Sequence, residues 1–260
     1  MGKITLIKAG YVVTNPVLRE KGVIENGAVC VQDRRILDVG PWEELREKYR
    51  QAEIMGSDET LALPGFIDIH NHGQGVSTFS QGLMDKPLES WAVTWPRLIE
   101  KPFELSYWDA LVSASKQIRS GVTTTMPKRM DQPPRPLPEY EAEVQNVLKA
   151  YDLSGMRVFF AIGTTDKASQ FVYIDNDGFI SSLPDEERGI AAELSKPKNR
   201  ITVDQCVSLI EALHHRHLGN SRIHIALAIT GPQWLSDAYL VPLIETAHRL
   251  GIPIHGPILE

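Results

Sequence analysis

Two histidines one residue apart, His70 and His72, close the apolar run LALPGFIDIHNH that spans residues 61–72. Side chains two apart on a β-strand leave by the same face, so these imidazoles can converge on one cation while Ile69 and Asn71 face the other way. Imidazole suits Zn, Fe, Ni or Cu, and a catalytic centre adds further protein ligands while keeping a position open for water. The pair alone is an incomplete site, and an isolated His-x-His also fits two ordinary surface or hydrogen-bonded histidines. Its setting favours the metal: Pro64-Gly65 punctuates the entry, and Phe66-Ile67-Asp68-Ile69 is the near-continuous apolar run expected of a strand covered on both faces.

Such a strand needs a sheet around it, and the flanking pattern supplies one. From Ile4 to Ala62 short β-type runs alternate with turn signals: Ile4 to Lys8, Tyr11 to Thr14, a break at Asn15-Pro16, Val23-Ile24, Ala28 to Gln32 and Arg35 to Val39. Asn26-Gly27 between apolar runs predicts a hairpin, and the spacing predicts a small β-sandwich with one short helix over Pro41 to Arg50. Beyond His72 the chain alternates helices with apolar strands. Leu105 to Arg119, with Ser106 as N-cap, Tyr140 to Ala150, Val203 to Leu218 and Asp237 to Leu250 read as helices. Gly121 to Met126, Arg157 to Ile162, Arg222 to Ile229 and a run starting at Gly251 read as strands, with Pro127 to Pro138 a proline-rich loop. This alternation implies βα units in a parallel sheet whose strand C-termini shape a pocket. Asp175-Asn176-Asp177-Gly178 reads as a turn, since the spacing of a calcium loop is not met. His214, His215 and His217 are close enough to invite a metal, but basic residues before Gly219 also complement a helix C-terminus, which is the reading adopted.

The 260 residues, 42% of them hydrophobic, can bury a sizeable core. A formal charge of -6 without a basic stripe argues against nucleic acid as a partner. Cys30 and Cys206 are the only cysteines, too far apart for a redox or zinc motif, which fits a reducing compartment. The N-terminus meets charge too soon for a signal peptide, and no apolar run approaches the ~20 residues of a membrane span. The expectation is a cytoplasmic protein that does not engage membranes.

The string LPGFIDIHNH resembles the first barrel strand of the amidohydrolase superfamily, in which it supplies two metal ligands. Residues 80–91, SQGLMDKPLESW, are similar to a substrate-side loop of the branch that includes guanine deaminases, methylthioadenosine or adenosylhomocysteine deaminases and triazine hydrolases, with Gln81 where Arg is usual. Trp91, beside Trp95, equally fits a residue packing a short helix against the barrel. The resemblance implies an α/β fold: an incomplete TIM-like (β/α)8 metallo-dependent hydrolase barrel of about five strands over residues 63–260, preceded by part of a small β-sandwich over residues 1–62. It further implies one divalent metal, zinc with iron as the alternative, and hydrolytic deamination or dechlorination of a small N-heterocycle. Gln81, Trp91, Gln233 and Trp234 are the candidate substrate contacts.

In the family the fifth strand carries a metal-binding His three residues before a proton-shuttling Glu. Counting back from Glu260, the candidate catalytic carboxylate, Pro257 occupies the ligand position and offers no donor atom. His255 lies about 6.6 Å short of it at ~3.3 Å per residue, so it serves as a third ligand only if the metal sits deeper or the strand shifts. Five strands of eight leave sheet edges unpaired, which predicts either a fragment of a longer protein or association, as in a homo-oligomer. The rival readings are a truncated or degenerate chain that binds a partner or ligand without turnover, and a ring-opening amidohydrolase of the dihydroorotase or hydantoinase kind, against which the loop at residues 82–91 argues.

Overall fold

In the computed structural model the two runs at the N-terminus form one strand, β1 (Ile4–Val13), because Gly10 lets it bend without breaking. The pairing register shifts between Ala9 and Tyr11, and a Cβ at Gly10 would stand 2.1 Å from the Asp58 carbonyl oxygen. The structure describes residues 2–87, 91, 102, 104–130, 136–167, 176–195 and 201–257. Two units are evident, Met1–Gly65 and Phe66–Glu260.

The first unit is a four-stranded sheet in the order β3-β2-β1-β4, with β2 (Val23–Gln32), β3 (Arg35–Pro41) and β4 (Glu53–Ala62). β2 runs antiparallel to β1 and β3, whereas β4 lies parallel to β1. The expected hairpin at Asn26-Gly27 is absent. Both flanking runs belong to β2 and pair with β1 in one register, from Val13 opposite Val23 to Ile4 opposite Gln32. Asn26 enters the left-handed region at φ 45° without reversing the chain, since asparagine tolerates that conformation inside a strand as well as in a turn. The reversal falls at Asp33-Arg34, between the paired Gln32 and Arg35. Helix α1 (Trp42–Lys48) follows, and its Leu45 closes a small core with Leu6, Ala28 and Cys30.

The second unit carries a curled, fully parallel sheet in the order β5-β6-β7-β8-β9: β5 (Phe66–Asn71), β6 (Val122–Met130), β7 (Arg157–Gly163), β8 (Ile223–Ala228) and β9 (Ile254–His255). The intervening helices are α2 (Leu105–Arg119), α3 (Leu137–Ser154), α4 (Asn176–Ser182), α5 (Asp185–Leu194), α6 (Val203–Arg216) and α7 (Asp237–Leu250). Alternation along β7 explains the two layers: Val158, Phe160 and Ile162 join the core made with α2, α3, α6 and α7, while Ala161 joins Ala226, Ala228 and Met126 in a separate inner cluster. Small residues there let the sheet curl upon itself.

Several expectations are corrected. β5 is an edge strand, so Phe66, Ile67 and Ile69 are 55%, 67% and 71% exposed instead of covered on both faces. β6 continues through Pro127 to Met130, because a parallel partner on each side outweighs the turn signal of one proline. Ser106 is not a cap: α2 starts after Glu104, and the buried Ser106 hydroxyl points to the Glu143 carbonyl at 3.5 Å. The turn expected around Asp177-Gly178 is the first turn of α4; Asp175 lies outside the described residues. Among the described residues no helix is long and apolar enough to cross a membrane.

Helix α6 begins with a capping box in which Thr202 Oγ1 accepts the Gln205 N–H at 3.2 Å and Gln205 Oε1 accepts the Thr202 N–H at 2.9 Å. Thr202→Ala is expected to cost about 1 kcal/mol in urea unfolding, with an unchanged slope.

Candidate metal centre

β5 and β9 are opposite edges of a five-stranded sheet, which if flat would separate them by about 19 Å at ~4.8 Å per strand. The curl removes that gap: His70 Nδ1 on β5 stands 2.9 Å from His255 Nε2 on β9, with ring centroids 4.9 Å apart. His72 meets His70 edge to face at a centroid distance of 5.4 Å. Three imidazoles from the two ends of the sheet therefore meet at the C-terminal ends of the strands. His255, anticipated to fall short along its own strand, lies beside His70 across the mouth of the sheet. Pro257 is half-buried two residues beyond it, and Glu260 lies outside the described residues.

The electrostatics hold two of these rings neutral. Burial, then the neighbouring Lys128 ammonium, pulls the His72 pKa down to about 4, although the residue as a whole is exposed. A ring can be crowded by protein on one side and wetted on the other, and the crowding sets the direction of the shift. Burial and the adjacent His70 likewise lower His255. Neutral imidazole is the form that ligates a cation. Lys128 went unnoticed in the sequence. It lies two residues beyond Met126, whose side chain belongs to the inner cluster, so strand alternation was the available signal.

The end of β5 is irregular. Asp68 pairs with Thr125 but Asn71 pairs with Pro127, so three residue steps on β5 face two on β6, which defines a bulge between Asp68 and Asn71. Asn71 Nδ2 donates to Asp68 Oδ2 at 2.9 Å and to Thr125 Oγ1 at 2.7 Å, and its Oδ1 accepts the Gly73 N–H at 2.7 Å. Asp68 Oδ1 accepts the His70 N–H at 3.1 Å. Past His72 the chain is pinned to α2: Asp109 Oδ1 accepts the Gly75 and Val76 N–H groups at 2.8 and 3.2 Å, and Lys116 Nζ donates to the Gly75 carbonyl at 2.5 Å.

The other candidates make local contacts. Gln81 donates through Nε2 to the carbonyls of Val76 and Ser77 at 3.0 and 3.3 Å, closing its own loop. The Trp91 N–H bonds the Pro87 carbonyl at 2.9 Å; Trp95 is outside the described residues. Gln233 curls over Gly231, and Trp234 Nε1 is buried with no hydrogen-bond partner. His214 of α6 and His217 at the helix C-cap line a cavity of about 270 Å³.

Among the described residues, no three His, Cys, Asp or Glu side chains are arranged to hold an ion as they stand. Two nitrogens ligating one zinc at ~2.0–2.1 Å in tetrahedral geometry stand about 3.3 Å apart. The His70–His255 pair, now sharing a hydrogen bond at 2.9 Å, has to open by a few tenths of an ångström. Ring nitrogens brought together from the two edge strands are the donor type that such a cation takes.

Residues 61–260 match the model of the amidohydrolase family. The chain belongs to that family. Residues 27–52 of this amidohydrolase also match an imidazolonepropionase-like composite domain described from bacteria. A 5'-deoxyadenosine deaminase of Methanocaldococcus jannaschii is 27% identical over 241 residues, which cover 90% of this chain and 47% of that protein. Among solved structures, an adenosine deaminase from Xanthomonas campestris with bound Zn superposes with a TM-score of 0.61 at 20% identity, covering 97% of this chain and 48% of the other. A guanine deaminase from C. acetobutylicum with bound guanine gives a TM-score of 0.68 at 13% identity, covering 98% and 52%. The chain thus spans about half the length of the curated relatives it matches.

Proposed function

We propose that this amidohydrolase contributes the metal-binding half of an enzyme that hydrolytically deaminates a small N-heterocycle, of the adenosine or guanine kind. The observation that carries the reading is the meeting of His70 and His255 at 2.9 Å across the mouth of a curled sheet, with His72 beside them. His70, His72 and His255 would hold one divalent cation, zinc with iron as the alternative, which when bound supplies a Lewis acid and lowers the pKa of water at the site. The chain's own groups do the rest. Depressed pKa values keep His72 and His255 unprotonated, and the buried Lys128 adds positive potential where negative charge develops during attack on a ring carbon. Glu260 is the carboxylate whose sequence position suits it to take the water proton at a carboxylate oxygen and deliver it to the departing amine.

The test uses the full-length protein carrying the whole barrel: metal content by plasma emission spectroscopy, and ammonia release from a panel of aminopurines and their nucleosides. About one equivalent of metal and ammonia from at least one purine are expected. Absence of both rejects the assignment. A second reading, binding without turnover, is favoured by Pro257 at the position where relatives are expected to carry a ligand. If Pro257→His creates activity that the parent protein lacks, the second reading is right.

A further inference from the structure

We propose that Asn71, the residue between the two histidines, is a positioning residue of the metal centre: with Asp68 and Thr125 it locks the β-bulge that sends His70 and His72 toward the same point. The inference rests on the reading of those histidines as ligands but concerns how they are held.

Residues an odd number of positions apart on a regular strand leave by opposite faces, so the side chains of Asp68 and Asn71 should not touch. They are bonded at 2.9 Å because the extra residue of the bulge brings Asn71 round to the side of Asp68 and Thr125. The carboxamide then uses three of its four hydrogen-bonding sites. One N–H goes to Asp68, the other to the hydroxyl of fully buried Thr125, and the oxygen takes the Gly73 N–H. Gly73 is left-handed at φ 63°, and the Asn71-to-Gly73 bond closes a turn around His72. Asp68 meanwhile holds the N–H of His70. Each histidine is thus flanked by a backbone amide fixed to a side chain of one network. A metal–nitrogen bond tolerates only a few tenths of an ångström, so the orientation of the two Cα–Cβ bonds matters as much as the presence of the rings.

The residue type is specified as well. Leucine matches asparagine in size and offers none of the three bonds. Aspartate could still accept from Gly73, but it would set a second carboxylate against Asp68 and could not donate to Thr125. Supporting residues of this kind typically cost 10–100-fold in metal affinity when lost.

The experiment compares the full-length protein with Asn71→Leu, Thr125→Val and Thr125→Ser. Co²⁺ affinity is read by calorimetry, Co²⁺ geometry by visible absorption, and the ring nitrogens of His70 and His72 by ¹⁵N NMR of the metal-free protein. Asn71→Leu should weaken Co²⁺ binding by about 10–100-fold, alter the absorption bands and shift both ring resonances, leaving His224 near the other end of β8 unmoved. Thr125→Val should do the same to a smaller extent, and Thr125→Ser, which keeps the hydroxyl, should restore parental values. Folded Asn71→Leu and Thr125→Val proteins with parental affinity, bands and ring resonances would overturn the proposal. Should the parent protein take up no Co²⁺, the metal reading fails and the ring resonances alone decide the positioning role. If Asn71→Leu does not fold, the Thr125 pair decides it.

Discussion

If His72 is a ligand as proposed, His72→Ala is expected to lower Zn²⁺ affinity by at least about 100-fold, the upper end of what loss of a mere supporting residue costs at a metal site. The size follows from what remains. His70 and His255 already satisfy each other through a hydrogen bond at 2.9 Å, so without the third ring they have a competing partner and no reason to part for a cation. The parent site also offers His72 unprotonated, its pKa pulled to about 4, so at neutral pH the parent releases no proton from that ring on binding and the substitution removes a ready ligand. Folding should be nearly untouched, within about 1 kcal/mol, because His72 is partly solvated at the end of an edge strand. Competition against a chromogenic chelator at neutral pH measures the first quantity and urea unfolding of the metal-free protein the second. His224→Ala, stacked on Phe159 elsewhere on the sheet, should leave the affinity unchanged. An affinity for His72→Ala within threefold of the parent would remove the site.

The second large effect concerns the strand that carries Lys128. The next residue, Arg129, is turned the other way and donates from Nε to Glu143 Oε1 on α3 at 2.9 Å, while its Nη2 donates to the same oxygen. The Glu143 side chain is 4% exposed and that of Arg129 21%. Breaking a pair this deep leaves a guanidinium without its carboxylate in a place that water reaches poorly, and such losses run to about 3–5 kcal/mol. Partial access of Arg129 to solvent puts Glu143→Ala near the lower end, about 3 kcal/mol. Against a total stability of about 5–15 kcal/mol for a typical domain, that is a large fraction. The urea midpoint should fall accordingly. The double change Arg129→Met with Glu143→Leu should recover most of the loss, since apolar replacement of a buried pair removes the stranded charge. A fall of less than 1 kcal/mol for Glu143→Ala would mean that packing, and not the ion pair, joins α3 to β6.

Local patterns were legible wherever the physics is local. Leu105 to Arg119 and Asp237 to Leu250 are read from the sequence with the bounds the helices have, because apolar spacing acts within a few turns, even though the cap expected at Ser106 is not one. β7 is read to within a residue. Asn26-Gly27 misled because the same left-handed asparagine serves a turn and a kinked strand, and pairing with β1 chooses between them. β4 escaped notice since its middle, Gly56-Ser57-Asp58-Glu59, is polar and becomes a strand only by lying along β1. The loop bonds of Gln81, from its amide to the Val76 and Ser77 carbonyls, are likewise set by how the loop folds.

The sequence by itself determined that two imidazoles leave neighbouring positions of one strand end, that parallel βα units surround them, and which superfamily they resemble, since strand periodicity and residue type need no distant partner. Only the tertiary structure decided that His255 reaches His70 from the far edge of the sheet and that a bulge at Asp68–Asn71 aims the pair. Both depend on curvature and register summed over five strands and nearly two hundred residues, and no spacing along the chain encodes that sum.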